Sequence, residues 1–103
     1  MYQLDFLPSA VADMAEIVRY ISHDLLNRMS AISLAEEFIQ AATRVSEFPY
    51  ANPLYQPVRP LKHEYRKVVV GNHLMLYWVD EMTKTVTIAR IVYAKRDYGK
   101  LIN

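Results

Sequence analysis

Four of the five prolines fall between Pro49 and Pro60, and this cluster divides the chain into two parts that must fold differently. Proline lacks a backbone N–H and fixes φ, so the run Pro49-Tyr-Ala-Asn-Pro-Leu-Tyr-Gln-Pro-Val-Arg-Pro60 is barred from helix interior and central strand. It is predicted to be an extended loop. With Leu61 to Glu64 added it is long for a small domain, and long loops are often functional.

Before the prolines, the apolar spacing is mostly helical. Residues 2–7 alternate in polarity, the period of a short strand. Pro8 and Ser9 then interrupt, with Ser9 predicted as an N-cap and Asp13 and Glu16 near the positive end of the helix dipole. Met14, Ile17, Val18, Ile21 and Leu25 make one apolar stripe. Asn27 is expected to end that helix in a left-handed turn, and Ser30 to cap the next. Ile32, Ala35, Ile39 and Ala42 run beside Leu34, Phe38, Ala41 and Val45, a wider stripe that ends near Phe48. Two antiparallel helices with a short connection follow.

After the prolines, β-branched and aromatic runs predict strands at 65–70, 73–79 and 85–93. Gly71-Asn72 is a turn signal, and Asp80 to Lys84 form a polar hairpin loop. The middle run is apolar on both faces and is expected at the centre. The last six residues are expected to form one helical turn. The fold class is α+β, with the order β-α-α-β-β-β: an N-terminal strand and a helical hairpin packed on a four-stranded, mainly antiparallel sheet. At 103 residues, residues 1–103 form a single domain.

Composition excludes several functions. With 52% hydrophobic residues the chain can fill a core, so disorder is not expected. With no cysteine, a disulfide framework, a thiolate nucleophile and a Cys metal site are impossible. His23, His63 and His73 lack ligand spacing, so neither metal nor cofactor is expected. No leader peptide or membrane span is read, which makes the cytoplasm the expected compartment. Charge is lopsided. Residues 1–58 hold three Lys/Arg against seven Asp/Glu, a net −4, and residues 59–103 hold nine against four, a net +5. The second part is therefore suited to a polyanion or an acidic protein, unless its cations only decorate a solvated sheet.

Local motifs sharpen this. The segment Tyr65-Arg66-Lys67-Val-Val-Val-Gly71-Asn72-His-Leu-Met-Leu-Tyr77-Trp-Val-Asp80-Glu81 resembles the central hairpin of RelE/ParE superfamily toxins. Val86 to Tyr98 resembles their last strand and basic exit, and Ser9 to Ile21 their first helix. The similarity spans essentially the whole chain. It implies the toxin of a bacterial type II toxin–antitoxin system, held by a cognate antitoxin protein. In the RelE branch it implies metal-independent cleavage of messenger RNA on the ribosome, which needs a base, an acid and cations around the phosphorane. Arg66 and Arg96 retain basic positions of that branch. Leu74 stands where it carries an arginine, Ile102 where it carries a tyrosine, and Tyr98 is displaced by about one helical turn. These departures favour the ParE branch, associated with poisoning DNA gyrase by protein contact.

Two sets of site residues follow. Target binding through a basic sheet edge and exit loop falls to Arg66, Lys67, Arg90, Lys95, Arg96 and Tyr98, which are expected to converge on one surface. The ribonuclease alternative uses Arg66 and Arg96, with His73 and Glu64, expected across from each other, as acid or base. Each has a plainer reading. His73, His63 and His23 are surface residues and Glu64 a solvated charge. Arg90, counted onto a face with Val86, Ile88 and Val92, is an ion-pair partner of Asp97 or Glu64. Trp78 is core, and Tyr77 and Tyr93 are core or base-stacking groups. An antitoxin segment is expected either on Tyr50, Leu54 and Tyr55 or in the groove beside the helical hairpin.

Overall fold

The computed structural model describes residues 1–55 and 62–95. Strand β1 (Gln3–Phe6) leads into helix α1 (Pro8–Arg19), a π-helical segment (Tyr20–Asp24) and helix α2 (Arg28–Glu47). Strands β2 (Arg66–Val70), β3 (His73–Asp80) and β4 (Thr85–Tyr93) follow. The sheet order is β1-β4-β3-β2. β1 lies parallel to β4, and the other pairs are antiparallel. The α+β order predicted from the sequence is therefore the order found. The predicted C-terminal helical turn lies outside the described residues.

Helix boundaries differ from the sequence reading for local reasons. Pro8 itself opens α1, where a missing N–H costs nothing, behind Leu7 as an uncapped N-cap. Ser9 is thereby freed, and its hydroxyl donates to the Ala89 carbonyl of β4 at 2.8 Å. Leu26, not Asn27, takes the left-handed conformation, with φ 51°. Asn27 instead caps α2, its side chain accepting from the Ser30 N–H at 3.1 Å. Gly71 has φ +60° in the β2–β3 turn, which a Cβ would disfavour.

The sheet separates two apolar clusters. On the helical side, Phe38, Ala41, Ala42 and Val45 of α2 pack with Met75, Tyr77, Val86, Ile88 and Ile91. On the opposite side lie Tyr65, Leu74, Leu76, Ala89 and Val92, with Leu7, Tyr55 and Trp78 packed against them. Burying each large side chain contributes roughly 1.5–3 kcal/mol. The wider stripe of α2 is only partly used, since Ile32 and Ile39 are about half exposed.

Strand β4 changes face midway. Tyr77 pairs with Ile88 but Leu76 with Arg90, so Ala89 is an extra residue, a β-bulge. The bulge breaks the period-2 count that grouped Arg90 and Val92 with Val86 and Ile88. Val92 instead joins Ala89 on the far side, and Ile91 returns to the helical side.

The bulge also lies where β1 stops pairing, at Ile88. Helix α1 covers the bare edge beyond it. Asp13 accepts from Arg90 Nε at 2.7 Å, from Arg90 Nη2 at 2.8 Å and from the Ile91 N–H at 2.9 Å. Both side chains are largely buried, at 21% and 14% exposure for Arg90 and Asp13. The carboxylate raises the Arg90 pKa against the opposing effect of burial. Removing one partner of such a pair strands the other. Asp13→Ala is expected to cost about 2 kcal/mol, lowering Tm by roughly 10 °C. The double variant with Arg90→Met should lose less than the two single losses combined, measured by thermal unfolding followed by circular dichroism.

Candidate functional site

One group of candidate residues gathers where β2 begins and β3 ends. Antiparallel pairing sets Arg66 opposite Tyr77. The Arg66 guanidinium donates to the Asn52 carbonyl at 2.7 Å and lies 5.0 Å from the Tyr50 ring centroid, a cation–π distance. Buried Tyr77 donates its hydroxyl to the Pro49 carbonyl at 2.7 Å and accepts from the Asn52 amide at 3.3 Å. Burial is the main cause raising its pKa. Beyond this loop, Tyr55 N–H donates to Tyr65 and Lys67 N–H to Pro53, so the loop's end pairs with the outer edge of β2. Pro53 thus sits beside a sheet edge, where a missing donor is tolerated.

The result is a small cavity of about 120 Å³ lined by Tyr50, His63, Glu64, Arg66, Trp78 and Val79. His63 stacks flat on Trp78, with centroids 4.0 Å apart and planes 4° apart. Tyr65 meets both edge-on. One pocket therefore offers a guanidinium, a carboxylate, an imidazole and a phenol. Of the residues expected under the ribonuclease alternative, Arg66 and Glu64 line this cavity. The sequence places Tyr50 in one of two expected antitoxin seats, His63 on the plain surface and Trp78, here half-buried, in the core. Their signal was weak: His63 and Tyr65 are two residues apart, the spacing of one strand face.

The other candidates do not join this group. Lys67 follows Arg66 on β2 and projects from the other side of the sheet, opposite Leu76. The expected convergence of Arg66 and Lys67 therefore fails, because strand neighbours alternate. Lys95 is exposed in the turn after β4, near the end where Tyr93 pairs with His73. That end lies four residues, roughly 13 Å, along β3 from Tyr77. Arg90 is engaged with Asp13 rather than with Glu64. Arg96, Asp97, Tyr98 and Ile102 lie outside the described residues.

His73 is likewise remote from Glu64, contrary to the expectation that they face each other. The tight turn at Gly71-Asn72 sets His73 against Val70, and Glu64 precedes the far end of β2. Phe38 and Tyr93 meet the His73 ring edge-on at 5.7 and 6.0 Å. Burial lowers its pKa. It borders a groove of about 430 Å³ between α1, the π-helical segment and the ends of β3 and β4.

A third cluster pins the proline-rich loop to the β3–β4 hairpin. Glu81 accepts hydrogen bonds from Tyr2 at 2.7 Å, from Tyr50, and from Lys84 at 2.6 Å. Lys84 first, then the two phenols, hold the Glu81 pKa down to about 2. The same carboxylate pushes Tyr50 up to about 12. Among the described residues, no group of His, Asp and Glu is arranged to hold a metal ion, and no helix is long and apolar enough to cross a membrane.

Comparison with known proteins agrees with this architecture. Residues 4–98 match the family described as the ParE toxin of the type II toxin–antitoxin system parDE. No curated protein sequence matches. Among solved structures, a chain of the chromosomal ParDE toxin–antitoxin system of P. aeruginosa is similar, with TM-score 0.71 and 16% identity over 92% of this chain and 98% of that one. The isolated E. coli RelE toxin superposes with TM-score 0.63 and 18% identity, over 99% and 96% of the two chains. A chain of the intact E. coli RelBE toxin–antitoxin complex gives 0.61 and 17%, over 93% and 100%. At these identities the likeness is one of fold.

The Glu81 cluster makes pH dependence a test of the loop anchor. A carboxylate whose folded pKa is depressed adds stability that is full above its unfolded value of 4.5 and is lost as pH falls toward about 2. Wild-type Tm is therefore expected to fall more steeply than that of Glu81→Gln across this window. Parallel pH profiles in thermal unfolding would show that the cluster adds nothing.

Proposed function

The chain belongs to the ParE toxin family of type II toxin–antitoxin systems, and from that premise we propose that it arrests growth by protein contact with an essential cytoplasmic target, DNA gyrase, and is neutralised by a cognate antitoxin protein. The observation that carries this reading is the separation of His73 and Glu64, the two groups expected from the sequence to serve as acid and base. A general base and acid must both reach the substrate within hydrogen-bond distance. His73 and Glu64 instead lie toward opposite ends of β2 and β3. Arg90 is committed to Asp13, and Leu74, at the position of an arginine in the RNA-cleaving branch it resembles, is buried in the far-side cluster. What remains exposed is contact surface. The antitoxin follows from the ParDE and RelBE systems whose folds this chain shares.

A second reading, ribosome-dependent cleavage of messenger RNA, is favoured by one feature. The pocket of His63, Glu64 and Arg66 places an imidazole, a carboxylate and a cation together, with Tyr50 and Trp78 as flat surfaces for a base. Cleavage there would assign acid and base to His63 and Glu64 and phosphate binding to Arg66.

Expression without antitoxin is expected to arrest growth, with cleaved gyrase–DNA complexes accumulating while ribosome-bound messages stay intact. Co-expression of the antitoxin should restore growth. Under the second reading, messages are cut instead, and Arg66→Ala or Glu64→Gln slows cutting by about 10²-fold or more. Message cleavage with unperturbed gyrase overturns the first proposal.

A further inference from the structure

Helix α2 has an apolar face that the fold leaves uncovered. Met29, Ile32 and Ile39 are 75%, 49% and 48% exposed, and Leu25, just ahead of the helix, is 55% exposed. Within α2 the row Met29, Ile32, Glu36, Ile39, Thr43 advances by three and four residues in turn, so it runs along one face. Single exposed apolar side chains are ordinary on a small protein, but a continuous row marks an interaction surface. Phe38, Ala41, Ala42 and Val45 serve the core from the other side of the helix, so packing within the domain does not call for Ile32 and Ile39.

The charges on this face select its occupant. Arg28 and Glu36 are exposed and make no ion pair among the described residues. They stand four residues before and four residues after Ile32, about 6 Å along the axis in either direction, and the three form one i±4 ridge. Ridges of this kind pack against each other in the commonest helix crossing. Two copies of α2 crossed antiparallel at Ile32 set Arg28 of each copy beside Glu36 of the other. Both charges are then matched, twice over, with Ile32 against Ile32 between them and Met29 and Ile39 around the crossing point. Sliding the copies until Ile32 meets Ile39 would instead bring the two Glu36 carboxylates together at the centre and set Arg28 against Thr43. Such a like-charge contact opposes association. A foreign protein would have to supply its own charges for Arg28 and Glu36, whereas this chain carries both halves of the match, as a two-fold interface requires.

We propose that α2 is a self-association surface, on which two copies of the chain pair antiparallel through Ile32, joined by two Arg28–Glu36 ion pairs. A single helix crossing buries far less than the standard interface of roughly 1,600 Å², and exposed ion pairs add little to it. The dimer is therefore weak, with a Kd on the order of 100 μM. The charges fix its register more than its affinity. This face shares no residue with the Arg66 pocket, and the pairing holds under either reading of the target.

Sedimentation velocity of the full chain is expected to show a monomer below about 10 μM and dimers near 1 mM. Arg28→Glu and Glu36→Arg each set like charges opposite one another at both positions, so each variant alone should self-associate about 10-fold more weakly. Mixed in equal amounts, the two variants bring opposite charges to both positions and should pair at least as well as the wild type. A folding defect would not be rescued by mixing. With no cysteine in the chain, single cysteines report the register. Ile32→Cys should cross-link to itself under mild oxidation, because the crossing brings the two copies of this residue within disulfide reach. Ile39→Cys, two turns away, should not. A chain that stays monomeric up to about 1 mM, its apolar row left to a different protein, would overturn the proposal. So would a dimer indifferent to the mixing of variants, or one that Ile39→Cys cross-links and Ile32→Cys does not. Growth arrest on expression reads the toxin function separately, so a monomer that arrests growth removes the dimer alone.

Discussion

Asp13 accepts three hydrogen bonds from two consecutive residues of β4, and the arrangement of the helical layer follows from it. β1 is only four residues long and stops pairing at Ile88, while β4 runs on to Tyr93. An uncovered strand edge of that length invites pairing with other chains. The chain turns at Leu7-Pro8 and lays α1 along the exposed stretch, Ser9 taking the Ala89 carbonyl and Asp13 the Ile91 N–H. The bulge at Ala89 re-aims β4 just there, and the Arg90 guanidinium closes on the same carboxylate. Helix, strand end and bulge form one device, and it fixes how α1 lies against β4.

The sequence disclosed the elements because each rests on local physics. Helical stripes, β-branched runs, the Gly71-Asn72 turn and the proline cluster are all read within a few residues. It did not disclose the Asp13–Arg90 pair, whose partners are 77 positions apart. Arg90 was recognisable as a charge in need of a partner, but a bulge of one residue hid which face it occupied, and the partner lay on a helix rather than a neighbouring strand. Caps were misplaced for a related reason. Ser9 and Asn27 are both good caps by type. Pro8 moved the first helix start two residues earlier, from an expected cap at Ser9 to one at Leu7, and Leu26 took the left-handed turn so that Asn27 capped the second helix.

The candidate site was legible by composition and less so by geometry. Tyr-Arg-Lys at 65–67 reads as a basic patch until the strand is drawn, when alternation sends Arg66 and Lys67 to opposite sides. Glu64 and His73 look adjacent across a hairpin, yet a tight turn pairs residues nearest the turn and pushes Glu64 to the far end. Conversely, Tyr50, His63 and Trp78 come together from three segments whose register no short motif encodes. Tyr77, one residue of the segment that carries the resemblance, is fully buried. Its hydroxyl holds the loop through Pro49, which is a structural reason for a tyrosine at that place.

β3 links the two ends of the molecule. Its eight residues span roughly 25 Å. Its first residue, His73, borders the groove, and Tyr77 and Trp78, towards its other end, hold the loop and line the small pocket. Between them Met75 and Leu76 are wholly buried on opposite faces, so neither end moves without disturbing both cores. In a domain this small, the two inner strands β3 and β4 each carry side chains of both cores, so the two faces of the sheet share one frame.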